Sequence, residues 1–193
     1  SGRKMKRLIL ASASPRRKGI LTQLGISFEV RSAAISEELS GPFQEEYPRI
    51  LAERKALYVS KQEPDFPVLG FDTLVFFNGE VLGKPRDEVE ALAMLEKLNG
   101  NAHVVISGVS LAYQGKLISS AAERTEVFFR QLSKEMLEKY VASKEPLDKA
   151  GAYGIQGLGA GLVRCISGCY YNVVGLPVAK TLEMLEAFEE KYD

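Results

Sequence analysis

The order of elements legible in this 193-residue chain is that of an α/β fold, strands and helices alternating along the sequence. Three observations predict it. An apolar run, Arg7 to Ala11, passes through Ser12-Ala13-Ser14-Pro15-Arg16-Arg17 into residues at helical spacing, Ile20, Leu21 and Leu24, which reads as strand, tight loop, helix. A nearly unbroken apolar stretch, Val68 to Phe77, follows a segment with helical periodicity and reads as a buried strand. His103 to Tyr113 and Lys116 to Phe129 read as two long strands around Gln114-Gly115.

In chain order, Ser14 suits an N-cap and Pro15 the first helical position, where no N–H is needed. Arg16, Arg17 and Lys18 then fall in a first turn whose dipole favours carboxylates. A bound anion such as phosphate would account for them; a solvated basic helix start is the alternative. Phe28-Glu29-Val30 reads as a short strand before an acidic loop at Glu37 and Glu38, with a turn at Ser40-Gly41-Pro42. Tyr47, Ile50, Leu51, Arg54, Leu57 and Tyr58 predict a helix with that apolar face, leaving Glu53 and Lys55 on other sides. Asn78-Gly79 predicts a hairpin from the Val68 strand back through Glu80-Val81-Leu82. Pro85-Arg86-Asp87 caps a helix with apolar positions Val89, Leu92, Leu95 and Leu98, stopped at Asn99-Gly100. Ser133 to Ala142 predicts another helix, Arg164 to Ser167 a last strand, and Leu176-Pro177 the start of an amphipathic helix through Leu182, Leu185 and Phe188. Asp148 to Gly157 is glycine-rich yet poor in solvating residues, the composition of a structured and functional loop.

The length suits one domain over residues 1–193, burying about 70% of the unfolded surface without staples. Lys plus Arg total 25 and Asp plus Glu total 25, so no global field draws nucleic acid or an anionic membrane, and phosphate binding must be local. No apolar run is long enough to span a bilayer and Ser1 to Lys6 lacks the core of a signal peptide, which predicts a cytoplasmic protein. Ser1-Gly2 reads as a cloning remnant ahead of a start at Met5, with residues 1–4 tag or disordered. Cys165 and Cys169 have no histidine nearby to complete a zinc site, and read as small apolar residues.

Asp72 is the outlier of its strand, because a charge among Phe, Leu and Val needs a compensating cation or metal. It is either a general base or metal ligand, or half of a structural salt bridge. With Glu37 it would supply the two carboxylates that Mg²⁺ commonly takes alongside substrate phosphates. Lys84, set between Gly83 and Pro85, is an aimed cation suited to phosphate; Lys55 and Lys149 are similar candidates. Gln156 offers the carbonyl and amide that match the imide edge of uracil or thymine; turn packing is the alternative. His103 is the only histidine, which disfavours a serine triad. A Walker loop and a Gly-x-Gly-x-x-Gly fingerprint are both missing, and Gly157-Leu158-Gly159-Ala160-Gly161 has the wrong spacing.

Together these segments resemble the Maf family of nucleoside triphosphate pyrophosphatases, from Leu8 to about Ala179. Ser12 to Arg17 is similar to the family's opening signature, Gly70-Phe71-Asp72-Thr73 to its catalytic strand and Gly83-Lys84-Pro85 to its lysine turn. Asp148 to Gly157 matches its long loop and Asn172-Val173-Val174-Gly175-Leu176-Pro177 its closing motif. The resemblance implies an elongated mixed β-sheet with flanking helices, two lobes enclosing a central cleft, and a homodimer. It also implies divalent-metal-dependent hydrolysis of a nucleotide to its monophosphate and pyrophosphate, with Mg²⁺ first and Mn²⁺ or Co²⁺ as alternatives. By that likeness Asp72 is the proton acceptor, and Glu37 and Asp72 hold the metal. Ser14, Arg16, Lys55, Lys84 and Lys149 line the phosphate path. Arg17, Thr73 and Gln156 set the choice of base and match the branch acting on dTTP, UTP and related modified pyrimidine nucleotides rather than 7-methyl-GTP. The family's link to septum formation makes a nucleotide-sensing regulator of cell division one alternative, and a 7-methyl-GTP pyrophosphatase is the other. The chain departs from the family in having Ala34-Ile35-Ser36-Glu37 for Asp-Ile-Asp-Glu, Ser107-Gly108 for Thr-Gly, and Phe71 for Ala. The last two should alter packing more than chemistry.

Overall fold

The computed structural model describes residues 7–38 and 44–192; the expected turn at Ser40-Gly41-Pro42 and the start at Met5 lie outside them. Its elements are β1 (Leu8–Leu10), α1 (Pro15–Gln23), β2 (Phe28–Val30), α2 (Tyr47–Gln62), β3 (Val68–Phe77) and β4 (Glu80–Leu82). There follow α3 (Glu88–Leu98), β5 (Ala102–Tyr113), β6 (Lys116–Phe129), α4 (Lys134–Ala142), β7 (Val163–Ser167), α5 (Tyr170–Val174) and α6 (Val178–Tyr192). The expected α/β class holds. The seven strands form one sheet in the order β2-β1-β3-β5-β6-β7, with β4 paired to β3. It is mixed: β1 runs parallel to β2 and β3, while β3–β4 and β6–β7 are antiparallel.

The chain divides into two compact units. One takes the chain through Asp72, Ser107–Glu123 and everything from Gly175 on; the other takes Thr73–Ile106 and Arg124–Val174. The first has a core of Ile9, Ala11, Ala56, Val59, Val68 and Ala112. The second is built around Val75, Leu95, Leu98, Val127, Phe129, Leu137 and Tyr153, among others. Among the described residues no helix is long and apolar enough to cross a membrane.

Local chemistry set most boundaries. Ser14, Asp87 and Ser133 each cap a helix by accepting the N–H of the residue three positions on. Asn78 and Gly79 both take positive φ, as the tight hairpin requires, and so do Gln114 and Gly115 between β5 and β6.

Two expectations need correction. The buried side of α2 is Tyr47, Pro48, Leu51, Ala52, Ala56, Val59 and Ser60, so Tyr58 is exposed and Lys55, expected to face elsewhere, points inward. The cause is a close approach: a Cβ on Gly70 of β3 would stand 2.4 Å from the Ala52 carbonyl oxygen and 2.8 Å from the Ala56 nitrogen. Such contact selects small residues, which a count of large apolar side chains passes over. On α3 the buried set is Ala91, Met94, Leu95 and Leu98, while Val89 in the first turn is 79% exposed. Cys165 is exposed on edge strand β7 and Cys169 is half-buried, and both are free thiols. Helix α5, five residues between Gly168 and Gly175, is an addition too short to show a period.

Candidate functional site

In the first unit, parallel β1 and β3 lie side by side, and the segment after β1 and the middle of β3 carry the polar groups. Ser12 follows β1, and its Oγ accepts from the Ser14 N–H at 3.2 Å and from Arg17 Nη1 at 3.1 Å. Ser14 Oγ accepts the Arg17 N–H at 3.3 Å, so the expected cap forms. The hydroxyl of Ser14 therefore serves the helix itself. Arg17 Nε donates to the Gly175 carbonyl at 2.7 Å, which fixes the guanidinium from a residue far along the chain. Its guanidinium carbon lies 5.8 Å from the centre of the fully buried Phe71 ring, within cation–π reach. Burial pulls the Arg17 pKa down to about 10, opposed by the charge of Asp72, so it stays cationic at neutral pH. Arg16 is half-buried one residue before it.

Asp72 is buried, and its Oδ1 accepts from Lys55 Nζ at 2.9 Å. Its Oδ2 is also buried and has no hydrogen-bond partner among the described residues. Burial raises the Asp72 pKa above the ordinary carboxylate value; Lys55 and then Arg17 work against that rise, and Glu37 adds to it. The same Lys55 ammonium lies 3.3 Å from Glu37 Oε1, on a side chain that is 64% exposed. Ser14, Arg16, Arg17, Glu37, Lys55 and Asp72 are thus all in the first unit.

Among the described residues no three His, Cys, Asp or Glu side chains cluster as a protein-made metal cage. An orphaned buried carboxylate oxygen on Asp72 and an exposed carboxylate on Glu37 nonetheless suit a hard divalent ion that takes part of its shell from a phosphate substrate.

The other expected residues belong to the second unit. Thr73 is half-buried, and Lys84 and Gln156 are exposed. Lys149 is held: its Nζ donates to the Glu145 carbonyl and to Asp148 Oδ1, both at 2.8 Å. Its stem lies along Gly154, where a Cβ would come 2.8 Å from Lys149 Cε. The segment expected to be a structured loop contains short 3₁₀ turns at Glu145–Asp148, Ala150–Ala152 and Gly157–Leu162. His103 is buried, its Nε2 paired with the Tyr153 hydroxyl, far from triad chemistry.

Sequence reasoning passed over Ser12, the Gly175 carbonyl and Glu145. Ser12 stood inside the quoted motif without a role, and a backbone carbonyl leaves no trace in residue type. Gly175 did carry a signal, since its φ of 128° needs glycine.

A sequence profile described as "Maf-like protein" matches residues 7–188. A protein of Pectobacterium atrosepticum named dTTP/UTP pyrophosphatase is 49% identical over 186 residues, covering 95% of this chain and 94% of that protein. Proteins of the same name from Pelotomaculum thermopropionicum and Escherichia coli are 44% and 47% identical, each over 95% of this chain and over 97% and 94% of their own lengths. A crystal structure titled as a nucleoside-triphosphatase / dITP/XTP pyrophosphatase from Mycobacterium abscessus aligns at a TM-score of 0.43 and 14% identity, over 96% of this chain and 98% of that one. That likeness is too low to carry an inference.

Proposed function

This chain belongs to the Maf family, matched from residue 7 to residue 188, and from that premise we propose that it hydrolyses dTTP and UTP to the monophosphate and pyrophosphate. The substrate class rests on the names of its relatives. The chemistry rests on one observation: a buried carboxylate with one oxygen held by a lysine and the other without a hydrogen-bond partner among the described residues.

In this reading water attacks the α-phosphorus and passes its proton to Asp72 Oδ2. The bond from phosphorus to the bridging oxygen breaks, and its electron pair leaves with pyrophosphate. Burial makes Asp72 a stronger base than an exposed carboxylate, while Lys55 and Arg17 pull in the other direction, toward the ionised form. Ser14, Arg16, Lys55, Lys84 and Lys149 take phosphate oxygens, Ser14 through the helix start that it caps. Arg17, Thr73 and Gln156 govern the choice of base. Asp72 Oδ2 and Glu37 would hold Mg²⁺, which when bound neutralises charge on the triphosphate. Since Lys55 keeps Oδ1, the single open oxygen of Asp72 serves as base or as ligand, one role at a time.

The deciding experiment is a nucleotide panel with Mg²⁺, followed for pyrophosphate release. dTTP and UTP should exceed CTP and 7-methyl-GTP, by up to ~10⁴-fold where unmatched polar groups stay buried. Equal turnover of all four removes the pyrimidine assignment, and tight binding of dTTP with no pyrophosphate favours a sensor.

A further inference from the structure

The glycine-rich segment of the second unit is closed around Gln156 by a single carboxylate. Glu145 Oε1 accepts the Tyr140 hydroxyl at 2.9 Å and the Gly159 N–H at 3.1 Å, and Oε2 accepts the Leu158 N–H at 3.1 Å. The Tyr140 oxygen in turn accepts the Gly154 N–H at 3.2 Å. The loop is tight where it folds back, since a Cβ on Gly159 would lie 1.7 Å from the Gly154 carbonyl oxygen. Gly157 sits at a φ of 63°, and a Cβ there would come 3.0 Å from Glu145 Oε2. Gln156 is therefore tied down two residues before and two and three residues after its own position, through Tyr140 and Glu145. Its side chain, by contrast, is exposed and makes no capping bond to the turn that it opens.

Hydrogen bonds to an ionised carboxylate are among the strong ones, so this is a rigid mount. Burial first, and then the bond to Glu145, push the Tyr140 hydroxyl well above its ordinary pKa, which keeps its proton in place for that bond. A rigid backbone under an exposed amide is what recognition of a planar polar edge requires, because distance and approach angle are set before the ligand arrives.

We propose that Glu145 is a positioning residue for base selection: by anchoring Tyr140, Leu158 and Gly159 it holds Gln156 where its amide meets the imide edge of a uracil or thymine ring. The inference rests on the reading above, in which Gln156 faces the base. Glu145 touches no substrate and acts through the turn alone. Glutamine at this site would point an N–H₂ at groups that themselves donate, so E145Q loosens the turn while leaving the backbone carbonyl that receives Lys149.

The test measures kcat/KM for UTP, dTTP, CTP and ATP with the parent protein, E145Q and Y140F. In each folded variant the preference for UTP over CTP and over ATP should fall at least ~5-fold, chiefly through a raised KM for UTP. A scaffold role alone would lower all four nucleotides together. A preference that moves less than that in a folded variant overturns the proposal. If E145Q does not fold, Y140F carries the test; loss of folding in both makes the pair scaffold only and also overturns it. A parent protein with no preference for dTTP and UTP overturns the functional reading itself, whereas a selective parent with unmoved variants overturns the role of Glu145 alone.

Discussion

Burying the Asp72 carboxylate disfavours its charged form, and Lys55 and Arg17 offset only part of that, so the acid rests above its ordinary pKa. If Asp72 is the base, turnover rises with pH through that raised value as the carboxylate ionises. Removing the Lys55 charge, as in K55M, withdraws the larger compensation, and the acidic limb of the kcat/KM profile should move to higher pH. An unmoved limb would detach Asp72 from the profile. D72N keeps the shape and hydrogen bonding but cannot take a proton; its kcat should drop at least ~10²-fold while dTTP still binds. At this scale the sequence spoke clearly of Asp72, because a charge inside an apolar run is conspicuous. It misplaced Lys55, because the small residues Ala52 and Ala56 define the inward face of that helix and carry little hydrophobic weight.

Packing between elements can be tested at two glycines with opposite expectations. G70A drives a Cβ into the backbone of α2 and should destabilise by about 1–3 kcal/mol. G19A, with nothing within 4 Å of its Cβ, should stabilise α1 by about 0.5–1 kcal/mol. Thermal melts of both variants read the two signs directly. His103 supplies a test on β5. Its ring stands edge-on to Phe129 and Tyr153, and burial pulls its pKa down to about 4. Unfolding releases it to about 6.5, so between those values the unfolded chain binds the extra proton and the folded state loses stability as pH falls. The shift corresponds to about 3 kcal/mol, present above pH 6.5 and gone by pH 4. Denaturant unfolding of the parent against H103Q isolates it: the difference between the two should depend on pH, and a constant difference would refute it. Caps and hairpins were legible because Ser14, Asp87 and Asn78-Gly79 act on their own neighbourhood. The Tyr153 partner of His103 was not, being 50 residues away.

Over the whole molecule the alternation of strand and helix was readable in the residues themselves, whereas an expectation of two lobes came only through the family resemblance. Three boundaries, Asp72/Thr73, Ile106/Ser107 and Glu123/Arg124, fall inside β3, β5 and β6, where no run of Gly, Pro or Ser marks a linker; the fourth, Val174/Gly175, follows α5. Strands continuous through both units predict one cooperative unfolding transition. Calorimetric and van't Hoff enthalpies should agree, and two resolved transitions would contradict that expectation. The order in which the polypeptide is made bears on the anchoring of Arg17. The ribosome adds Gly175 158 residues after Arg17, so the carbonyl that receives its Nε does not exist until the whole intervening stretch has been made. A nascent chain stalled short of that glycine keeps the Ser12 contact of Arg17 but lacks the acceptor for its Nε, so the timetable of translation decides when the guanidinium gains its second anchor.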